Sequence, residues 1–214
     1  MGRDGIEASR ETAKRVKTAF SGPRLSAIAN LALLRKRNVP RETIPFYLEV
    51  LGAIDLKTPK IPSKARILFF GNRDGSGSRA VIAKLSERSQ LPVDNLFMNP
   101  GGIRNTTRFI SASTDVFDLI VVSPCYLREQ VYAELDRGRV TGNVSLRIED
   151  KEASVGLLLN SLYDRLHPGG AMLVFEPDDF VRLSDIGFGK RKVKMSVEQR
   201  DGGTIAKAVI KKTV

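Results

Sequence analysis

The run Ile67-Leu68-Phe69-Phe70-Gly71-Asn72-Arg73-Asp74-Gly75-Ser76-Gly77 constrains this chain more than any other. Four apolar residues in a row read as a buried strand, and the glycines that follow let the backbone reverse sharply with no side chain in the way. The helical pattern Ser78 to Glu87 comes next, so its first N–H groups face whatever lies across the turn. A strand feeding a helix through such a turn is a unit of a parallel sheet with crossover helices. As a ligand motif a single glycine turn is weak, because a bare strand-to-helix reversal asks for the same residues.

The rest of the chain extends the pattern. Ala65 to Phe70 is the first buried strand, Leu96 to Met98 a second candidate and Thr107 to Ile110 a short third. Phe117 to Val122 is the clearest strand, apolar except for Asp118. Ala153 to Leu166 carries Val155, Leu158, Leu159, Leu162 and Leu166 on one helical face, His167-Pro168-Gly169-Gly170 reads as its stop signal, and Ala171 to Phe175 as the next buried strand. Lys192 to Glu198 and Thr204 to Lys211 form a closing antiparallel pair around Asp201-Gly202-Gly203. The expected fold is α/β, a mostly parallel sheet over residues 63–214, flanked by helices and closed by an antiparallel strand pair.

Residues 1–62 read as an N-terminal basic helical extension. A polar helix from Ser9 to Phe20 breaks at Ser21-Gly22-Pro23. A better one follows, with Leu25, Ile28, Ala29, Ala32 and Leu33 at helical spacing, Arg35-Lys36-Arg37 in its last turn and Pro40 as its end. A short amphipathic helix from Thr43 to Leu51 and a connector holding Pro59 and Pro62 lead into the sheet.

Charge points to a partner. Lys and Arg outnumber Asp and Glu by 35 to 24, a net charge of +11, which favours polyanions. The excess is clustered, at Arg10/Lys14/Arg15/Lys17, Arg35/Lys36/Arg37, Lys190/Arg191/Lys192/Lys194 and Lys211/Lys212. RNA or another nucleic acid is the expected partner, with Lys14, Arg15, Lys17, Arg35, Lys36 and Arg37 as candidate contacts; a solvated face would look the same. Aromatic content of 7% without tryptophan argues against a broad base-stacking platform. No apolar stretch approaches the ~20 residues of a membrane span, and Met1 to Thr18 has no apolar core of a secretory signal. The expectation is a soluble, cytoplasmic protein without a membrane partner. With Cys125 as the sole cysteine and His167 as the sole histidine, no metal site is expected.

Three segments in order carry a family resemblance: Asp74-Gly75-Ser76-Gly77 after the first strand, Phe117 through Ser123-Pro124-Cys125-Tyr126, and Leu162 through His167-Pro168-Gly169-Gly170 to Glu176. Together they resemble the class I (Rossmann-fold) S-adenosylmethionine-dependent methyltransferases over roughly Lys64 to Val214. The resemblance implies a Rossmann-like sheet and S-adenosylmethionine as cofactor, with Gly71, Asp74, Gly75, Ser76 and Gly77 holding its methionine part and ribose, and Asp94 taking the ribose hydroxyls. The chain departs from the pattern in placing Phe69 and Phe70 where the first strand usually ends in an acid, and Asp94 before its strand. Ser123-Pro124-Cys125-Tyr126 is similar to the "[D/N/S]-P-P-[Y/F/W]" motif of amino-methyltransferases, with Cys125 in place of the second proline. That similarity implies Ser123 and Tyr126 as catalytic residues, the first accepting hydrogens of a substrate amine and the second stacking on a planar substrate.

Alternatives stay open. Small viral-type RNA 2′-O-methyltransferases share this size and basic character, but their lysine-aspartate-lysine-glutamate tetrad is not recognisable: Pro124 stands at the aspartate position and Ala171 to Phe175 supplies no lysine. A catalytically degenerate methyltransferase-like fold serving as an RNA- or protein-binding module is the second reading, and a nicotinamide oxidoreductase using Arg73 a third. The N-terminal helices would fit a piece of a larger polypeptide or complex.

Overall fold

The computed structural model describes residues 23–57, 65–71, 75–89, 102–123, 126–141, 150–177, 180–198 and 205–214. Its centre is a five-stranded sheet in the order β1-β2-β3-β5-β4. Strands β1 (Ile67–Phe70), β2 (Phe117–Val122) and β3 (Leu166–Pro177) run parallel. β5 (Ile205–Lys212) lies antiparallel to β3 and to the edge strand β4 (Val193–Glu198). The α/β class, the parallel centre and the closing antiparallel pair are those implied by the sequence.

Alternation along each strand builds two cores. Ile67, Phe69, Leu119, Val121, Leu173, Phe175 and Val209 face α1 (Pro23–Lys36), α2 (Ile44–Lys57) and α3 (Ser76–Ser89), meeting Leu34, Leu51, Ile54, Val81 and Leu85. Leu68, Phe70, Ile120, Val122, Met172 and Val174 face α4 (Ile103–Ala112), α5 (Tyr126–Thr141) and α6 (Lys151–Asp164), meeting Ile103, Val131, Val155, Leu158 and Leu162. Phe69 and Phe70 are fully buried on opposite faces, each worth roughly 2–3 kcal/mol of apolar burial. The described part of the first 62 residues is therefore one layer of the α/β sandwich, clamped to it by Asp55. That carboxylate accepts from Ser26 and from Asn30 Nδ2 (2.9 Å) on α1 and lies 3.6 Å from Lys84 Nζ on α3.

Three local expectations are corrected. Thr107 to Ile110 is not a strand but the second half of α4. Its buried residues Ile103, Thr106 and Ile110 fall at helical spacing, and Thr107 Oγ1 donates to the Ile103 carbonyl at 2.7 Å, which satisfies the β-branched side chain inside a helix. His167-Pro168-Gly169-Gly170 is not a stop: α6 ends at Asp164, and the four residues already belong to β3, where the register with β2 shifts between Phe117 and Leu119. The glycines serve that irregular crossing. Gly169 has φ +82°, and a Cβ on Gly170 would lie 2.9 Å from the His167 carbonyl oxygen and 3.1 Å from that of Asp118. In α1 the buried residues are Asn30 and Leu34, whereas Ile28 is 65% exposed, because the Asp55 clamp rotates the polar Ser26–Asn30 side inward.

The proposed helix Ser9 to Phe20, strand Leu96 to Met98, Pro59/Pro62 connector and Asp201-Gly202-Gly203 turn lie outside the described residues.

Candidate functional site

Because β1, β2 and β3 are parallel, their carboxyl ends meet at one edge, where open α/β sheets take their ligands. The Ser123 N–H donates to the Phe70 carbonyl at 2.7 Å, and the Tyr126 N–H to the Ser123 carbonyl at 3.1 Å. These two bonds bring the start of the glycine turn and the turn after β2 to a common point. A Cβ on Gly71 would sit 2.9 Å from Ser123 Cβ and 2.6 Å from the Phe69 ring, so only glycine fits there.

Tyr126 takes a place other than the one its motif implied. It is 3% exposed, its ring packs on Phe70 with centroids 5.2 Å apart, and its hydroxyl bonds to Thr106 on α4. Burial pushes its pKa up to about 12. The ring supports the Ser123 turn from beneath and offers no face to a planar substrate. Ser123 is buried too, at 2%.

Beyond Val174 on β3 lies a buried acid. Glu176 is 0% exposed, and neither carboxylate oxygen has a hydrogen-bond partner. Burial drives its pKa from 4.5 up to about 8; the amides and charge at Arg128 and the Leu127 amide, in the first turn of α5, pull it down without completing a hydrogen bond. Burial thus favours the protonated form of Glu176. Nearby Glu129 is likewise raised by burial. No pattern in the sequence marks Glu176, because an acid after a strand reads equally as a solvated loop residue.

The glycine turn divides into packed and reachable parts. A Cβ on Gly77 would fall 2.0 Å from the ring of Tyr47 on α2, so this glycine admits the neighbouring helix. Gly75 and Ser76, by contrast, are half-exposed. The first bond of α3 runs from the Arg79 N–H to the Gly75 carbonyl at 3.0 Å, leaving the earlier N–H groups without a carbonyl inside the helix. This rim presents N–H groups to a polar ligand; the ends of β1 and β2 behind it are filled by Phe69, Phe70 and Tyr126. Asp74 and Asp94 lie outside the described residues, as do Lys14, Arg15 and Lys17.

Arg35, Lys36 and Arg37 are exposed at the end of α1. Asn38, at φ +55°, and the Val39 N–H bonded to the Leu34 carbonyl at 3.1 Å close that helix, with Val39 buried beside Leu34. Asp55 and Lys84 fix the other end of α1 at the amino edge of the sheet, while Tyr47 on Gly77 places the start of α2 at the carboxyl edge. The basic triad therefore lies toward the edge that carries the glycine turn.

A cavity of about 220 Å³ lies elsewhere, between Gly52 of α2 and the β5–β4 hairpin, over Leu173, Phe175 and Val209, with Lys207 3.6 Å from both Glu49 and Glu198. Among the described residues no group of three His, Cys, Asp or Glu side chains could hold a metal ion, and no helix is long and apolar enough to cross a membrane.

No protein-family model and no curated protein matches the chain. Among solved structures, the chain is similar to an rRNA methylase from Streptococcus thermophilus (12% identity, 72% of this chain and 91% of that one, TM-score 0.42). It is similar also to TrmN from Thermus thermophilus (13%, 78% and 49%, 0.46) and to SMU.776 complexed with SAH (12%, 78% and 49%, 0.47). It spans about half the length of the last two.

Proposed function

We propose that this chain is an S-adenosylmethionine-dependent methyltransferase acting on RNA or another nucleic acid. One observation carries the reading: the glycine turn of β1 and the Ser123 turn of β2 are joined at the carboxyl edge of a parallel sheet that closes with β5 between β3 and β4. When bound, the cofactor supplies an activated methyl group. Gly75, Ser76 and the first amides of α3 would hold its polar end, Gly71 lets the turn start against Ser123, Asp74 is a further member of that loop, and Asp94 is the acid for the ribose hydroxyls. Ser123 would orient the acceptor, with Tyr126 as a prop and no longer a stacking surface. Arg35, Lys36 and Arg37, with Lys14, Arg15 and Lys17, are the proposed phosphate contacts near that edge.

A non-enzymatic binding module is the second reading, favoured by Tyr47 lying on Gly77 and by the burial of Ser123 and Tyr126. Calorimetric titration with S-adenosylhomocysteine separates the two. Saturable binding that protects the glycine turn from amide hydrogen exchange is expected; absence of heat at protein concentrations far above micromolar leaves only the binding module.

A further inference from the structure

The basic clusters near the end of the sequence do not form one patch. Arg191 is tied to Asp164 through both oxygens (2.8 and 2.7 Å) and to Asn160 (3.0 Å), and Lys212 Nζ donates to the carbonyls of Asp164 and Leu166 (3.2 and 2.8 Å). Both are structural, closing the end of α6. Lys207 is held between Glu49 and Glu198. Lys194 and Lys211 are different. They are exposed, make no ion pair or side-chain hydrogen bond to any described residue, and stand directly opposite each other across β4 and β5. Strand alternation puts exposed Lys192 on the same face, two residues before Lys194.

Like charges directly opposite in a sheet repel across about 5 Å and cost stability unless an anion lies between them. No described acid does so here. The row is backbone-fixed, and none of the large exposed apolar side chains among the described residues, Ile28, Phe109, Tyr132 and Leu157, lies on the hairpin; Val214, at the chain end, is the nearest. Such a surface suits phosphates along a strand; it offers bases nothing to stack on and a lipid bilayer little to insert.

We infer that the Lys192/Lys194/Lys211 face of the β4–β5 hairpin binds the phosphate backbone of a nucleic-acid strand. This rests on the nucleic-acid part of the proposed function and adds a size to the substrate. Lys211 pairs with Ala171 and Ala206 with Glu176, so the row lies five residues of strand from the carboxyl edge, about 17 Å at ~3.4 Å per residue. A strand that reaches both is a polynucleotide; a free nucleotide cannot.

The test is fluorescence anisotropy with a labelled single-stranded RNA of about 20 nucleotides, over a salt series, on the full chain. Each phosphate contact to a single strand adds about 0.7 to the slope of log affinity against log salt. The double variant Lys194→Gln/Lys211→Gln should flatten the slope by about 1.4 and weaken binding roughly tenfold at 0.15 M salt. Without RNA its Tm should stay level or rise, as the repulsion is removed. Equal binding by wild type and double variant overturns the inference and leaves the function standing. So does an equal loss in Arg108→Gln/Arg182→Gln, which removes the same charge elsewhere, or a loss seen on phosphatidylserine vesicles and not on RNA. Wild type that fails to bind RNA even at low salt removes both the inference and the nucleic-acid reading.

Discussion

At the amino edge of the sheet four described carboxylates are matched. Asp118 accepts from the Arg66 N–H at 2.9 Å, Asp115 from the Arg66 guanidinium at 2.8 Å, which holds its pKa below the usual range, Asp164 from Arg191, and Asp55 from Ser26 and Asn30. At the carboxyl edge, Glu176 is fully buried with no partner, and the Tyr126 hydroxyl is forced far from its ordinary pKa. The acids named at one edge are matched and the buried acid at the other is not, while Asn30 Oδ1 and Arg165 Nε at the amino edge are also buried without a hydrogen bond. Costs of this kind gather where a fold is shaped for a ligand, which supports the carboxyl edge as the proposed site.

The largest effect belongs to Glu176. Its pKa is about 8 in the folded chain against an ordinary 4.5, so the unfolded chain ionises first as pH rises. Stability is then highest at low pH, falls between about pH 5 and pH 8, and levels off above, a total loss of roughly 5 kcal/mol from this group. Glu176→Gln should abolish that slope, so that the variant gains on the wild type from pH 5 to pH 8. Denaturant melts at the two pH values measure it. A wild type whose stability is flat over this range would mean that Glu176 is satisfied and that the two edges do not differ.

Second is Gly77. A methyl group there would overlap the Tyr47 ring, so Gly77→Ala should cost about 2 kcal/mol by overpacking. The cost should vanish in the background Tyr47→Ala, which a double-mutant cycle reads directly. An additive cycle would show that the glycine is required for backbone conformation and not for the approach of α2.

The start of the sheet was legible because β1 and β2 are short apolar runs with Gly71 and Pro124 soon after them, and Asp118, the one polar residue in β2, proves to be the clamp on Arg66 at the start of β1. Long-range partners were not legible. Nothing near Tyr47 in the chain announces that it meets Gly77, thirty positions away, and Glu176 resembles a loop acid until α5 covers it. The helix Tyr126–Thr141 hid for a related reason: Gln130 and Glu134 share its buried face with Leu127 and Val131, so polarity marks the inward side only weakly. His167-Pro168-Gly169-Gly170 misled in the opposite direction, since a helix stop and an irregular strand crossing both call for glycine.

The smallest effect tests whether the matched edge owes its stability to its ion pairs. Arg191 and Asp164 meet through two parallel hydrogen bonds, and the bond to Asp164 raises the Arg191 pKa. Their side chains are 39% and 47% exposed, so water and salt screen the pair and Arg191→Ala should cost under about 1 kcal/mol. For a chain of this length that is a fall in Tm of no more than about 4 °C, and it should shrink further at 1 M salt. Arg191→Lys should recover little, because a point charge cannot span both oxygens and Asn160 together. A loss of several kcal/mol that salt does not relieve would mean that Arg191 anchors the end of α6 as Glu176 burdens the start of α5, and the two edges would then be alike in how much rests on a single side chain.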